Sequence, residues 1–406
     1  MNIVHINNID LAGSRFNGHD MQIYLNKRGI SCKQFVMDMQ GNDPNTIPLA
    51  RSFEEPFLRS SCMNVEADLS IHSMIYPYGW RLLKHDEFKK ADVVHYHLLH
   101  NFFVSYAMFP NLVAAKPSVL TIHDPWLFTG HCVYPIDCNK WDTSECENCP
   151  HLDRYFPMKE DKASYMWKLK KDIFSNIDID LVVASKWMLN LAQRSPITAH
   201  IKNIHHIPFG IDTDIFSTKH DKAAIRDKLG IPQDHVVLFF RSDSSPFKGL
   251  SYIQEMLKRL NVPEPLTLLT VDKVGLVKKG RHELLEKGWV SDDAQLSELY
   301  AAADIFLMPS IAEAFGLMAI EAMASGIPVV VFDGTSLPDV TFSPECGIAI
   351  KNNDVEQFAK VIERLINNPD ERQIRGDFGR ELALKHYKVE THFSQLLSLY
   401  GEILQR

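Results

Sequence analysis

The sequence predicts an α/β chain built as two doubly wound lobes, each a parallel sheet covered by helices on both faces. Three observations predict it: short apolar runs alternate with segments of helical period, the alternation occurs twice, and Pro208-Phe209-Gly210 punctuates the chain between the two occurrences. Strands buried on both faces read as continuous apolar runs, so this pattern marks parallel sheets instead of half-exposed antiparallel ones.

In the first half the strand candidates are Asn2 to Ile6, Lys33 to Met37, Val93 to Tyr96, Ser118 to Ile122 and Leu181 to Ala184, with helical segments such as Asp20 to Lys27 between them. The second half supplies Val236 to Phe240, Leu266 to Val271, Ile305 to Met308, Pro328 to Phe332 and Ile348 to Ile350. Residues 1–207 are therefore expected to form one lobe and 208–389 the other. In the last segment Phe393, Leu396, Leu397, Tyr400, Ile403 and Leu404 fall on one helical stripe, which predicts a terminal helix within 390–406 packed on a lobe. Open α/β sheets bind ligands at the carboxyl ends of their strands, so two lobes facing one another are expected to place the chemistry in a central cleft.

The balance of 43 basic against 51 acidic residues, a net charge of -8, gives no general attraction to nucleic acid or to an anionic membrane; any anion site must be local. No basic region precedes the first apolar residues, and no run of about 18 apolar residues occurs, so a cytoplasmic protein is expected. Seven cysteines in such a chain read as thiols or metal ligands, not as a disulfide framework.

Two stretches carry the chemistry. Pro309-Ser-Ile-Ala-Glu313-Ala-Phe315-Gly316-Leu317 leads from a strand end through a loop into a helix holding Glu321. A helix beginning near Gly316 presents free N–H groups and a positive dipole end to a phosphate, and two carboxylates nearby can accept hydrogen bonds from vicinal sugar hydroxyls. The bland alternative, a loop glutamate and a solvated helix glutamate, is equally open from the pair alone. The second stretch, Phe239-Phe240-Arg241 to Phe247-Lys248-Gly249, ends a buried strand in Arg and enters a helix through Lys-Gly. Arg can fork onto two phosphate oxygens and Lys adds a mobile point charge.

Together these segments resemble retaining glycosyltransferase family 4, of the GT-B fold, whose C-terminal lobes carry an Arg, a Lys-Gly and a Glu-x7-Glu element in this order. The resemblance extends to a linker like Pro208 to Phe216, a Gly288-Trp-Val290 turn, the Leu299-Tyr300-Ala-Ala-Ala-Asp304 segment and a terminal helix that crosses back to the N-terminal lobe. It implies transfer of a sugar, with retention of configuration, from a UDP or GDP sugar to a hydroxyl acceptor: a glycan, a lipid-linked sugar or a small glycoside. Polysaccharide biosynthesis would be the setting. The nucleotide sugar would be a co-substrate, and no cofactor is implied for the chemistry. Arg241 and Lys248 would hold the donor diphosphate, Glu321 the ribose, and Glu313 with the backbone at Phe315, Gly316 and Leu317 the transferred sugar, while Gly288 to Val290 would border the base.

On the N-terminal side, Val119-Leu-Thr-Ile-His123-Asp124 ends a strand, and similar enzymes place a His at the position of His123, beside the reacting sugar. Nearby His95, His97 and His100 read as core or cleft lining. The family's Gly-rich turn is represented loosely by Ala12-Gly13-Ser-Arg-Phe-Asn17-Gly18, making Gly13 and Gly18, with Asp124, the acceptor-side candidates. Asp212-Thr-Asp214 looks like a metal-binding Asp-x-Asp but falls inside the linker motif, so no catalytic metal is expected.

Beyond His123, Cys132, Cys138, Cys146 and Cys149 form a Cys-x5-Cys-x7-Cys-x2-Cys series. Four thiolates could close a structural zinc site, and free thiols are the equal alternative. The basic clusters Lys89-Lys90 and Lys168-Lys170-Lys171 read as solvated helix faces; weak peripheral contact with the inner face of a membrane is the alternative if the acceptor is lipid-linked. Because a fold does not fix an activity, a nucleotide-sugar epimerase, a sugar-phosphate synthase or a catalytically silent partner subunit also fits.

Overall fold

The computed structural model describes residues 1–50, 55–263, 266–278 and 280–406. The chain divides into two compact units, Met1–Ile207 with Phe393–Arg406, and Pro208–His392.

The first unit is built on strands β1 (Asn2–Ile9), β2 (Ser31–Asp38), β3 (Thr46–Pro48), β4 (Val93–His97), β5 (Ser118–Ile122), β6 (Asp180–Val183) and β7 (Ile204–His206). Among the described residues they form a seven-stranded sheet in the order β3-β2-β1-β4-β5-β6-β7, and every pairing in it is parallel. Each residue of β4, β5 and β6 is buried, as strands covered on both faces must be. The order reverses direction between β1 and β4, the kind of switch point at which open α/β sheets bind ligands.

The second unit repeats the plan with β8 (Val236–Ser242), β9 (Leu266–Asp272), β10 (Glu283–Glu286), β11 (Ile305–Met308), β12 (Val329–Phe332) and β13 (Ile348–Ile350). Its sheet runs β10-β9-β8-β11-β12-β13, all parallel, with the reversal between β8 and β11. Leu238, Phe240, Ile253, Leu268, Phe332 and Phe358 anchor one side of its core, each such fully buried side chain contributing about 1.5–3 kcal/mol. Helices start where the sequence offers acceptors: Asp221, Asp292 and Asp354 each take a hydrogen bond from a first-turn N–H. Gly376, in the helix Pro369–His386, packs so closely that a Cβ there would lie 2.0 Å from the Gly326 carbonyl oxygen.

Three strands that apolar runs did not reveal, β3, β7 and β10, are all edge strands, short and partly exposed. The expected helix over Asp20 to Lys27 spans His19–Asn26. The terminal helix spans Val389–Ile403. Its beginning belongs to the second unit, where the Val389 N–H donates to the Ile211 carbonyl at 3.0 Å. Its remainder completes the first: Tyr400 is fully buried with its hydroxyl 2.6 Å from His95 Nδ1, and Arg406 pairs with Asp180 at 2.8 Å. No helix among the described residues is long and apolar enough to cross a membrane.

One expectation is overturned. Lys168 and Lys171 lie on the outer face of the helix Ala163–Ser175 as a solvated cluster would, but Lys170 is fully buried, its Nζ donating to the Trp126 carbonyl at 2.7 Å and lying 3.4 Å from the Trp126 ring centroid. Its position two residues after Lys168 turns it to the apolar face, and burial lowers its pKa to about 7.

Candidate functional site

In the second unit the loops leaving β8 and β11 are bound to one another. The Ile311 N–H donates to the Phe247 carbonyl at 2.9 Å, and Gly249 packs so closely on Pro309 that a Cβ would sit 2.1 Å from its carbonyl oxygen. Across this junction Lys248 Nζ donates to Glu313 at 2.9 Å. Both side chains are largely withdrawn from solvent, so the pair is less screened than a surface one. The Glu313 carbonyl is fixed in turn by the Ser336 hydroxyl and N–H.

Two helices start at this junction, Leu250–Arg259 after Gly249 and Leu317–Ala324 after Gly316. Both glycines lie in the left-handed region, at φ +83° and +96°, where a side chain would be strained. Neither start is capped by a side chain, which leaves first-turn N–H groups for an anion. Phe315 is buried and packs edge-on against Phe209 and Tyr387 at 5.2 and 5.8 Å. Leu317, first in its helix, is half-buried.

Arg241 lies at the end of β8, its Nε donating to Asp272 at 2.7 Å and one Nη facing Asp243 at 3.3 Å. Asp272 adopts φ +86°, uncommon for a residue with a side chain, and its N–H donates to the Gly288 carbonyl at 2.7 Å. That contact ties the Gly288–Val290 turn to the residue that orients Arg241. Val290 is half-buried, whereas Trp289 is 71% exposed. Glu321 is buried inside its helix, where it accepts a hydrogen bond from the Tyr300 hydroxyl at 2.8 Å. Asp304 of the same sequence segment is structural: it pairs with Lys222 and Arg226 at 2.6 Å each and accepts the Val237 N–H.

In the first unit the Asp10–Gly18 loop is organised by buried Asn17, whose amide donates to the carbonyls of Ile9, Asp10 and Ala12 while its oxygen accepts the His19 N–H. Three backbone N–H groups, from Leu11, Gln40 and Gly41, converge on the Asp10 carboxylate and hold its pKa below the usual value against the effect of burial. Gly13 and Gly18 are both left-handed, and a Cβ on Gly18 would lie 2.4 Å from the His5 ring.

The His5 ring opens a chain of imidazoles. His5 Nδ1 lies 3.0 Å from His97 Nε2, and His97 Nδ1 lies 3.1 Å from His123 Nε2. His123 is flanked by Phe16, at 5.3 Å between ring centroids. His95 uses both nitrogens, on Tyr400 and on Thr121 Oγ1 at 2.7 Å. Ring nitrogens of His5, His95 and His97 lie within 4.8 Å of one another, close enough to share a metal ion. Burial alone lowers the pKa of His5 to about 3. Asp124 is turned into the wall: its carboxylate lies 3.3 Å from His100 Nε2 and accepts the Trp126 N–H at 3.0 Å. Burial pushes its pKa up, but His100, the Trp126 N–H and His123 together outweigh this and leave it below the usual value.

Cys132, Cys138, Cys146 and Cys149 line one small cavity, and all seven cysteines of the chain are free. Asp212 caps its own turn through the N–H groups of Asp214 and Ile215, and exposed Asp214 pairs with Lys219.

Sequence reasoning did not single out His5, Asp272 or the pairing of Tyr300 with Glu321. His5 lies inside an apolar run. The other partners depend on register between elements, for which spacing along the chain gives no signal.

Two doubly wound parallel sheets, each with a switch point in its strand order, define the class: an α/β protein of the GT-B type. Residues 221–382, the greater part of the second unit, match the family described as Glycosyl transferases group 1. Among similar curated proteins, the MMP alpha-(1->4)-mannosyltransferase of Mycolicibacterium hassiacum is 27% identical over 214 residues, 50% of each chain. A D-inositol 3-phosphate glycosyltransferase of Segniliparus rotundus is 30% identical over 217 residues, 50% of this chain and 48% of that one. The chain spans about half the length of the curated relatives it matches. The fold is similar over 100% of both chains to a sucrose-phosphate synthase of Thermosynechococcus elongatus, with TM-score 0.68 and 18% identity. It is also similar to Anabaena HepE in complex with UDP and glucose, with TM-score 0.62 and 16% identity over 99% of each chain.

Proposed function

We propose that the chain is a retaining glycosyltransferase that moves a sugar from a UDP- or GDP-type donor to a hydroxyl acceptor. The observation that carries the reading is the Lys248–Glu313 pair at 2.9 Å, set between two uncapped, glycine-started helices at the β8/β11 switch point. A diphosphate seated there meets the Lys248 ammonium and first-turn N–H groups. Among the described residues Arg241 makes no hydrogen bond through Nη1, which adds a third positive group. These charges stabilise the diphosphate as its bond to the sugar breaks, the step in which preorganised electrostatics contribute most.

Glu321, held by Tyr300, accepts from the ribose hydroxyls, and Glu313 with the N–H groups after Phe315 accommodates the transferred sugar. Val290 borders the base. Gly13, Gly18 and His123 serve the acceptor side, where His123 orients the reacting sugar and no residue is assigned as a covalent nucleophile. Retention by front-face attack follows from the resemblance to family 4. The naming of two relatives as a mannosyltransferase and an inositol phosphate glycosyltransferase, and the UDP and glucose bound to Anabaena HepE, support a nucleotide-sugar donor and a polyol or sugar acceptor.

The test is a donor screen: purified chain incubated with UDP- and GDP-hexoses, with and without sugar, inositol and glycolipid acceptors, the products analysed by mass spectrometry and NMR. An acceptor-dependent product with the donor's anomeric configuration is expected. Donor conversion without acceptor would instead point to an epimerase, transfer confined to sugar phosphates to a synthase, and donor binding without turnover to a silent subunit. No binding of any nucleotide sugar would refute the reading.

A further inference from the structure

We propose that Cys132, Cys138, Cys146 and Cys149 bind one zinc ion as a tetrathiolate that fixes the loop following β5. The four residues lie apart in sequence, in a stretch with little regular structure: among the described residues only the short helix Lys140–Thr143 falls within it. Yet all four line the same cavity, closed by Pro135, Trp141 and Pro150. Irregular segments with few apolar side chains of their own need a staple, and a tetrahedral zinc site is one that four thiols can supply.

The surroundings of the sulfurs suit thiolates. The Gly130 N–H donates to Cys146 Sγ at 3.2 Å. The Cys132 thiol, the His131 side chain and the His151 N–H all favour the thiolate of Cys149. In the Cys-x2-Cys turn, donation from the N–H two residues after a cysteine points hydrogen-bond donors at sulfur, the outer-shell arrangement that orients and tunes metal ligands. Glu145, Cys146 and Asn148 all adopt left-handed backbone, at φ +51°, +59° and +51°, so this turn is held in a conformation its residues do not favour. The scaffold beneath is firm: a Cβ on Gly130 would strike the Ala163 carbonyl at 1.9 Å, and Trp167 Nε1 donates to the Trp141 carbonyl at 2.9 Å.

Charge is also partly offset. Binding releases four thiol protons and leaves a complex of net charge -2, which an apolar site cannot hold alone. Lys170, the buried ammonium of the neighbouring helix, interacts electrostatically with Cys146 and Cys132. Its unexpected burial is thereby explained as a counter-charge. The histidine cluster of β1 and β4 is the weaker metal candidate, because the nitrogens of His95 and His97 and one of His5 are already engaged with Tyr400, Thr121, His123 and one another.

Full-length chain purified without added zinc should contain about one zinc per chain by elemental mass spectrometry, with all four sulfurs as ligands. Cys138→Ser and Cys149→Ser should each lose that zinc, whereas Cys62→Ser, outside the cluster, should keep it. In case the cluster variants do not fold, the wild-type chain gives a second reading: titration with a mercurial should release the zinc as four thiols react, and growth on cobalt should give the intense visible bands of a tetrahedral tetrathiolate. Metal-free protein with these thiols freely titratable, disulfides among them, zinc retained by both cluster variants, or a cobalt spectrum of nitrogen ligands would each overturn the proposal.

Discussion

Acidification should destabilise the first unit through His5. Folding holds this imidazole neutral by burial, lowering its pKa from 6.5 to about 3. The stabilising contribution of the neutral ring is therefore complete above pH about 6.5 and is lost as the pH falls toward about 3, because over that range the unfolded chain binds a proton that the folded chain refuses. At pH about 5 the unfolded side chain lies one and a half units below its midpoint, which at about 1.4 kcal/mol per unit removes about 2 kcal/mol. The assay is urea unfolding followed by tryptophan fluorescence at pH about 7.5 and 5. Of the six tryptophans only Trp289 lies in the second unit, so the signal reports the first. His72, also in the first unit and lowered by burial, contributes to the wild-type loss. The decisive quantity is the difference between wild type and His5→Gln, which keeps a hydrogen-bonding group for His97 but does not titrate. The variant should lose about 2 kcal/mol less than wild type between the two pH values. Equal losses, or a His5 titration by NMR close to 6.5, would refute the reasoning.

Further outcomes concern the site and its frame. Lys248→Ala and Arg241→Ala should each lower turnover by about 10²–10³-fold with the melting temperature little changed; steady-state kinetics and calorimetry check both. Tyr300→Phe leaves the buried Glu321 without its hydroxyl donor and should weaken donor binding by about 1–3 kcal/mol, read by isothermal titration with the nucleotide diphosphate. Transfer should persist without added magnesium or manganese during a brief exposure to chelator; complete loss restored by magnesium would overturn the expectation that transfer needs no catalytic metal. Gly376→Ala should destabilise the second unit by about 1–3 kcal/mol, since its Cβ has backbone, not a yielding side chain, 2.0 Å away; Trp289 fluorescence or hydrogen exchange checks it.

The interior of each sheet was legible in the sequence because strands buried on both faces must be apolar throughout. Ser118 to Ile122 and Ile305 to Met308 match the observed strands residue for residue. Edge strands such as Thr46–Pro48 and Glu283–Glu286 escape because one side of each meets solvent, so their composition is not constrained in the same way. The site shows the same division. Lys248 and Glu313 could be named from motifs, but their 2.9 Å contact arises because β8 and β11 are neighbours, a fact of sheet order that linear spacing does not carry. Lys170 was misread for a related reason: three lysines within four residues look like a solvated patch until the helix turns one of them inward.

The composition of the first unit bears on how the protein is made. Phe393 packs against Tyr24 at 4.8 Å between ring centroids, Tyr400 closes over His95, and Arg406 neutralises Asp180, so this unit lacks part of its core until residues 393–406 exist. Those residues leave the ribosome after the whole of Pro208–His392. The second unit, continuous in sequence, has all of its residues available while the first still waits with the end of β1, the imidazole row and the far edge of its sheet incompletely covered. During synthesis the order of completion is thus the reverse of the order of translation, and the span between the two is the period in which the N-terminal half of the chain most needs protection from association with other chains.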